Sequence, residues 1–183
     1  NILSKKLNNM EQLILKSKLT KKLGKKEILA ICRLKNTHWK HGIRSQISWF
    51  HKNIKANDIH NLAFLRKKLV GFVSLRKRKF LLKNRKKNYL YFDTLIVSKQ
   101  YRKLNIGHQL LILTTKIIKK SKLHSMLLCK KKIIPFYKKY KWKEVSGKKF
   151  KILDHKYSKN SLMMCFNKKI NISKLNKDYY IFN

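Results

Sequence analysis

The spacing of apolar residues after position 93 predicts a strand, a tight turn and a helix in direct succession. Leu95 and Val97 alternate with Ile96, which is the period-two pattern of a strand. After a polar stretch, apolar residues recur at steps of four, three and four residues, which is the spacing of one helical face. These residues are Ile106, Leu110, Leu113 and Ile117.

Such a junction predicts an anion site, most naturally for phosphate. It directs unpaired backbone N–H groups and the positive end of the helix dipole at one point in space. Arg102 and Lys103 add full positive charges beside that point. A simple helix start in a very basic protein would show the same pattern, so this alternative stays open.

The same patterns along the rest of the chain predict a single α+β domain. Hairpins come first and a strand-helix-strand unit follows, which favours a mixed, mostly antiparallel sheet of six to seven strands flanked by three to four helices. The predicted strands cover residues 27–34, 62–65, 69–75, 89–97, 123–129, 142–145 and 161–166. The predicted helices cover residues 41–57, the segment from 106, and a short segment that starts at Pro135.

Two basic segments flank the predicted domain, which spans residues 27–166. Residues 1–26 form an N-terminal arm, either a solvated basic helix, an amphipathic arm or an organelle-targeting remnant. Residues 167–183 form a basic and aromatic tail that we expect to pack on the domain or on a partner. Within the domain, Gly71 lies in a predicted strand and indicates a bulge or a close neighbour.

The charge balance narrows the class of partner. The chain has 48 Lys plus Arg against 7 Asp plus Glu, a formal net charge of +41. A coding bias towards A and T would explain part of the lysine excess, although it does not explain the scarcity of acids. Such a surface attracts RNA, DNA, anionic membranes and phosphorylated cofactors, and it disfavours polycationic substrates. The basic clusters at 76–79 and 83–88 are either phosphate-binding elements or solvated ends of a hairpin around a turn between them.

Cysteine usage indicates a reducing compartment, the cytoplasm or an organelle matrix. Cys32, Cys129 and Cys165 lie singly in apolar runs, which predicts buried free thiols rather than disulfides. The sequence has no paired cysteine or histidine spacing of a metal site, so we expect no metal. It also has no apolar run of about 18 residues, so we expect no membrane span.

Two blocks of sequence together resemble the Gcn5-related N-acetyltransferase (GNAT) superfamily. They are VSKQYRKLNIGHQLL at residues 97–111 and PFYKKYKWKEV at residues 135–145. The family's acyl-CoA loop is commonly Arg/Gln-x-x-Gly-x-Gly/Ala, and Arg102 and Gly107 match its first and last positions. Asn105 replaces the middle glycine, and asparagine tolerates left-handed backbone geometry better than most residues.

The second block carries the Phe136-Tyr137 pair that usually follows in the family. Trp142 stands where the family usually has Phe, and Lys141 stands where Gly is frequent. Between residues 27 and 88 the resemblance rests on the order of elements.

The resemblance implies transfer of an acetyl group from acetyl-CoA, as cosubstrate, to an amine. The backbones of Leu95, Ile96 and Val97 would hydrogen-bond the pantetheine arm. The pyrophosphate would meet N–H groups of the loop residues, namely Arg102, Lys103, Asn105, Ile106, Gly107 and His108.

The resemblance also implies two catalytic residues. Tyr137 would protonate the departing CoA thiolate; alternatively it is a half-buried aromatic whose hydroxyl caps a backbone group. Asp93 is the carboxylate best placed to take a proton from the amine, directly or through water. Surrounding lysines favour its charged form and make it a weak base unless it is buried. Asp93 would otherwise be a strand-start residue paired with a lysine.

Two functions follow. The first is an N-acetyltransferase for a primary amine, with amines on anionic carriers such as RNA, a nucleotide sugar or a ribosome-bound protein favoured over aminoglycosides and polyamines. The second is a catalytically degenerate GNAT fold that acts as an RNA-binding or ribosome-associated structural component.

Overall fold

The computed structural model describes residues 13–82, 85–145, 150–152, 161–165 and 180–182. These residues contain nine strands and four α-helices. The strands are β1 (Leu13–Leu19), β2 (Ile59–Leu65), β3 (Lys68–Leu82), β4 (Arg85–Val97), β5 (His124–Cys129), β6 (Lys143–Val145), β7 (Phe150–Ile152), β8 (Ser161–Cys165) and β9 (Tyr180–Phe182). The helices are α1 (Lys25–Asn36), α2 (Ile43–Asn53), α3 (Ile106–Ser121) and α4 (Ile134–Lys138).

The chain divides into two compact units. The first comprises residues 1–76 and 94–114, and the second comprises 77–93 and 115–183. In the first unit β1 pairs antiparallel with β2, and β2 pairs antiparallel with β3. Arg66 and Lys67 form the turn that joins the predicted strands 62–65 and 69–75 into a hairpin. Both have the left-handed φ that a two-residue hairpin turn requires, 49° and 63°.

The first unit places helices on both faces of its strands. On one face, α1 and α2 bury Ile31, Cys32 and Phe50 against Leu62 of β2 and Phe72 of β3. On the other face, residues of α3 lie close to β2 and β3.

Gly71 of β3 makes the close approach of α3 possible. A Cβ at this position would lie 2.8 Å from Leu110 Cδ1 and 2.9 Å from Ile106 Cγ2, closer than side chains tolerate. A buried hydrogen bond from Asn61 Nδ2 to Thr114 Oγ1, 2.8 Å long, also joins β2 to α3. The predicted close neighbour of Gly71 is therefore confirmed, and it is the N-terminal end of α3. The predicted alternative, a bulge, is also supported, because the pairing of β2 with β3 shifts register between Ala63 and Phe64, next to Gly71.

In the second unit parallel and antiparallel pairings are combined. The start of β4 pairs parallel with β5, with Tyr89 opposite His124. β5 pairs antiparallel with β8, which pairs antiparallel with β6. The end of β3 pairs antiparallel with β9, and β9 pairs parallel with β7. The predicted fold class, α+β with a mixed and mostly antiparallel sheet, is confirmed.

One predicted strand is wrong: residues 27–34 lie in helix α1. Ile31, Cys32 and Leu34 are buried while Arg33 is exposed, and this one-sided burial follows the helical period. The Glu27 carboxylate accepts the Gly24 N–H at 3.0 Å, so it caps the start of the helix. An eight-residue apolar run is too short to distinguish a helix from a strand by period alone.

The described part of the N-terminal arm begins as a strand and becomes helical only near its end, in the 3-10 helix Thr20–Lys22 and at the start of α1. Residues 13–19 form β1, in which half-buried Leu13 and Leu15 alternate with exposed Ile14 and Lys16. At the other end of the chain, β9 shows that residues 180–182 pack back on the second unit, while 167–179 lie outside the described residues.

The basic cluster at 76–79 lies within β3, and residues 85–88 lie within β4, so neither forms a turn. A turn was predicted between the two clusters, at residues 80–82, and this prediction is wrong because these residues continue β3.

Candidate functional site

The predicted anion-binding loop lies in the first unit, between the end of β4 and the start of α3. The Ser98 N–H donates to the Val70 carbonyl of β3 at 2.8 Å, which ties the loop to the neighbouring strand. A short 3-10 helix, Lys99–Leu104, follows. The loop therefore begins from a fixed point of the sheet and keeps regular backbone structure up to Leu104.

Asn105 connects the 3-10 helix to α3 in the left-handed conformation, with φ 56° and ψ 15°. Its carbonyl accepts the Gln109 N–H at 3.1 Å, so the α-helical hydrogen bonds start from Asn105. The backbone geometry for which asparagine is suited is thus present where the family motif has glycine. The first N–H groups of an α-helix have no acceptor within the helix, which leaves donors at this end.

Side-chain burial separates the loop residues into two groups. Ile96 and Ile106 are buried, so their side chains belong to the core. Arg102, Lys103 and Asn105 are exposed. The half-buried residues are Leu95, Val97, Gly107 and His108.

Two observations show what surrounds the loop: a hydrogen bond of Arg102 and the space beside Gly107. The Arg102 Nε donates to the Val97 carbonyl at 3.3 Å, which holds the guanidinium beside the end of β4. A Cβ on Gly107 would meet only Val97 Cγ2, at 3.7 Å, an ordinary contact. The helix dipole and the backbone donors lie at this end of α3, and the exposed Arg102 and Lys103 belong to the same loop, so the loop is suited to a diphosphate.

Asp93 lies inside β4 and is half-buried. The strand begins eight residues earlier, at Arg85, so the interpretation of Asp93 as a strand-start residue is wrong.

Tyr137 lies in α4 of the second unit and is 7% exposed. Pro135 stands in the first turn of this helix, as its fixed φ predicts. Burial raises the pKa of the Tyr137 hydroxyl, and the nearby Cys129 thiol raises it further. Tyr137 is therefore protonated at neutral pH.

Sequence reasoning missed the surroundings of Tyr137. Its ring packs edge-on against Phe92, Phe136 and Trp142. Cys129 is a buried free thiol, as predicted, and burial together with Glu144 raises its pKa to about 11. The period-two pattern of the predicted strand could have shown that Phe92 is buried. It could not have shown that Phe92 contacts Tyr137, because the two residues lie far apart in the chain.

Lys141 adopts φ 66° in the turn after α4. This left-handed geometry explains why the corresponding position in the family often has glycine, which has no steric penalty there.

The part of the chain that the structure describes contains neither a membrane-spanning helix nor a metal-binding cluster. Within it, no helix is both long and apolar enough to span a membrane. The same residues contain no group of three or more His, Cys, Asp or Glu that would hold a metal ion.

Comparison with known proteins gives one family match. The model of the acetyltransferase (GNAT) family matches residues 27–142, which include the whole loop and Tyr137.

Solved structures share the fold. The chain is similar to the GNAT family N-acetyltransferase YhbS from Escherichia coli in complex with CoA, with a TM-score of 0.67 and 8% identity, covering 94% of this chain and 90% of that one. It is similar to an acyl-CoA N-acyltransferase from Pseudomonas aeruginosa, with a TM-score of 0.63, 15% identity and coverage of 83% and 98%. It is also similar to the PaiA N-acetyltransferase from Thermoplasma acidophilum in complex with coenzyme A, with a TM-score of 0.51, 18% identity and coverage of 82% and 98%.

Proposed function

Because the chain belongs to the acetyltransferase (GNAT) family, we propose that it transfers an acetyl group from acetyl-CoA to a primary amine. The observation that supports this most directly is the left-handed Asn105 at the start of α3. It keeps the loop geometry of the family motif although the middle glycine is absent. Two of the solved structures with this fold are complexes with coenzyme A (CoA), which also supports the choice of cosubstrate.

In this proposal the loop binds the diphosphate of acetyl-CoA. Backbone N–H groups between Arg102 and His108 are the donors, and the Arg102 and Lys103 side chains neutralise the negative charge. The backbone of residues 95–97 hydrogen-bonds the pantetheine arm. Since Ile96 and Ile106 are buried, their contribution is limited to backbone groups.

The reaction forms an N–C bond and breaks the C–S bond of the thioester. The amine attacks the carbonyl carbon, and its proton passes to Asp93, directly or through water. Tyr137 gives its hydroxyl proton to the departing thiolate.

The raised pKa of Tyr137 keeps the acid protonated but also makes it a weaker acid. A thiolate in similarly dry surroundings is a stronger base than in water. Cys129 illustrates this effect, because burial, together with the charge of Glu144, raises the pKa of its thiol to about 11. We infer that proton transfer is feasible because donor and acceptor are shifted in the same direction.

The charge of the chain supports one class of acceptor, an amine on an anionic carrier. With 48 basic against 7 acidic residues, the surface repels polyamines and lysine-rich tails. Each exposed pair of charges contributes only about 1 kcal/mol at contact in water. Many such pairs together bias the encounter, and the bias declines as salt is added.

A pair of variants at Gly107 tests the cofactor loop. Gly107→Trp should abolish CoA binding in a folded protein, because the indole covers the helix start. Gly107→Ala is the matched control: its added Cβ meets Val97 Cγ2 at an ordinary 3.7 Å, so binding should persist. Isothermal titration with CoA measures both variants. Unchanged affinity in Gly107→Trp, or equal loss in both variants, would contradict the assignment of the loop.

A further inference from the structure

Three aromatic rings of the second unit form a closed triangle. The ring centroids of Phe92 and Tyr137 are 5.9 Å apart, those of Tyr137 and Trp142 are 6.1 Å apart, and those of Phe92 and Trp142 are 5.5 Å apart. The interplanar angles are 85°, 66° and 84°, so each pair is close to edge-to-face, a favourable arrangement. The exposed fractions of the three side chains do not exceed 7%.

The element that carries Tyr137 cannot hold it in place alone. Helix α4 has five residues, which is too short to be stable without tertiary contacts. Phe92 comes from the long strand β4, and Trp142 directly precedes β6. The orientation of the Tyr137 ring therefore depends on two residues from other elements.

Trp142 has a feature that packing alone does not favour. Its indole Nε1 is buried and has no hydrogen-bond partner within the described residues. Leaving a buried donor unpaired costs stability. A phenylalanine, which the family usually has here, would complete the triangle without that cost. The larger indole covers more of its neighbours, which is an advantage where water must be kept away from the tyrosine.

We propose that Phe92 and Trp142 are positioning residues that hold the Tyr137 hydroxyl in one orientation and keep water from its ring during acetyl transfer. The proposal rests on the proposed function. In the step concerned, the O–H bond of Tyr137 breaks and an S–H bond forms on the leaving thiolate, and the tyrosinate then recovers a proton from water. The raised pKa of Tyr137 agrees with a dry site, and Cys129 is the titratable neighbour that acts on it.

A titration of the phenol tests the triangle without any substrate. Tyrosinate absorbs near 295 nm, and the difference between each protein and its Tyr137→Phe counterpart isolates Tyr137. At about pH 10.5 the wild type should show almost no Tyr137 ionisation, since burial raises the pKa well above the ordinary value of about 10. Trp142→Leu should show more than half of one tyrosinate. Trp142→Phe should show a smaller fraction, closer to the wild type, because its ring still completes the triangle but covers less of Tyr137.

Phe72→Leu is the matched control, because Phe72 is an equally buried aromatic residue of the first unit. It should lower stability without exposing the Tyr137 phenol. Circular dichroism at the same pH verifies that each variant is folded. No change in Trp142→Leu, or an equal change in Phe72→Leu, would overturn the proposal.

Steady-state kinetics distinguish positioning from packing. With acetyl-CoA and ethylamine as the probe amine, Trp142→Leu should lower kcat at least tenfold while KM for acetyl-CoA stays within twofold, and Trp142→Phe should restore most of kcat. Equal changes of kcat and KM would indicate general disruption and contradict positioning. Absence of CoA binding by the wild type would contradict the proposed function, whereas the phenol titration would still decide on the triangle.

Discussion

His60 is a buried titratable residue that the proposed reaction does not use. It lies in the first unit, stacked between Phe50 and Phe72 with both ring centroids 5.7 Å away. Its Nε2 lies 2.8 Å from Thr20 Oγ1, and its Nδ1 has no partner within the described residues. Burial lowers the pKa of His60 to about 4; the carboxylate of Asp58 opposes this shift.

Stability should therefore fall in mild acid. The pKa in the folded state lies below the ordinary 6.5, so between pH 6.5 and about 4 the unfolded chain binds a proton that the folded chain does not. The full stability is present above pH 6.5, and about 3 kcal/mol is lost as the pH falls to 4. Urea unfolding at pH 7, 5.5 and 4 measures this loss.

Two variants isolate the contribution of His60. His60→Gln cannot titrate and should have a flatter pH dependence from a lower starting stability. His51→Gln removes an exposed histidine and should leave the dependence unchanged. A dependence as steep in His60→Gln as in the wild type would assign the loss to other groups.

Backbone conformation at single residues was predictable where the residue type itself limits φ. Asn105 was predicted to tolerate the left-handed region and adopts φ 56°. Lys141 has φ 66°, and only the comparison with the family's glycine signalled this, because lysine has no such preference.

At the scale of elements, the start of α3 depends on a residue distant in sequence. Gly71 allows the first turn of the helix to lie against β3, with Ala63 of β2 also 3.3 Å from the position of a Cβ. The same turn carries the N–H groups that we propose for the diphosphate. Packing of the helix and placement of the site are therefore linked.

Gly71→Ala should disturb both the packing of α3 and the placement of the proposed diphosphate site. The added methyl overlaps Leu110 and Ile106, so we expect a loss of about 1–3 kcal/mol in the free energy of unfolding. CoA affinity should also weaken, because the helix start is displaced. Urea unfolding and CoA titration measure the two effects.

Gly107→Ala serves as the control, since a methyl in the same turn meets no close atom and should not lower stability. Full stability of Gly71→Ala would show that α3 adjusts freely, contrary to the expected rigid contact.

Elements were predicted best where their period was long or their turn was distinctive. The hairpin at Arg66 and Lys67, β5 and α3 agree with prediction. Residues 27–34 form a helix instead of the predicted strand, and residues 13–19 form a strand where a helix was one of the alternatives. In both cases a short apolar segment takes the structure that its tertiary partners favour. For α1 those partners include Phe50 and Phe72, and for β1 they are the residues of β2.

At the scale of the whole molecule, like charges dominate. Ion pairs such as Lys18–Glu27 at 2.7 Å and Lys138–Glu144 at 3.1 Å use two of the 7 acids, while the net charge remains +41. The folded chain brings these charges together and so repels itself. The same excess suggested RNA or ribosome association from sequence, and this alternative stays a prediction that no observation on the described residues favours.

Salt should stabilise the fold. Raising NaCl from about 0.02 to 0.5 M shortens the screening length and should raise stability by about 1 kcal/mol or more, a Tm increase of about 2–4 °C per kcal/mol. Thermal unfolding followed by circular dichroism measures the Tm at each NaCl concentration. Replacing the exposed Lys21, Lys22, Lys25 and Lys26 by Gln should reduce the salt dependence. A Tm that falls with salt would contradict self-repulsion.

The sequence by itself determined the strand, turn and helix around Gly107 and the resemblance to the family, because period and turn chemistry act between near neighbours. Only the tertiary structure decided that α1 is a helix, that Gly71 lies under α3, and that Phe92 and Trp142 enclose Tyr137. These outcomes depend on contacts between residues far apart in the chain, for which a local pattern contains no information.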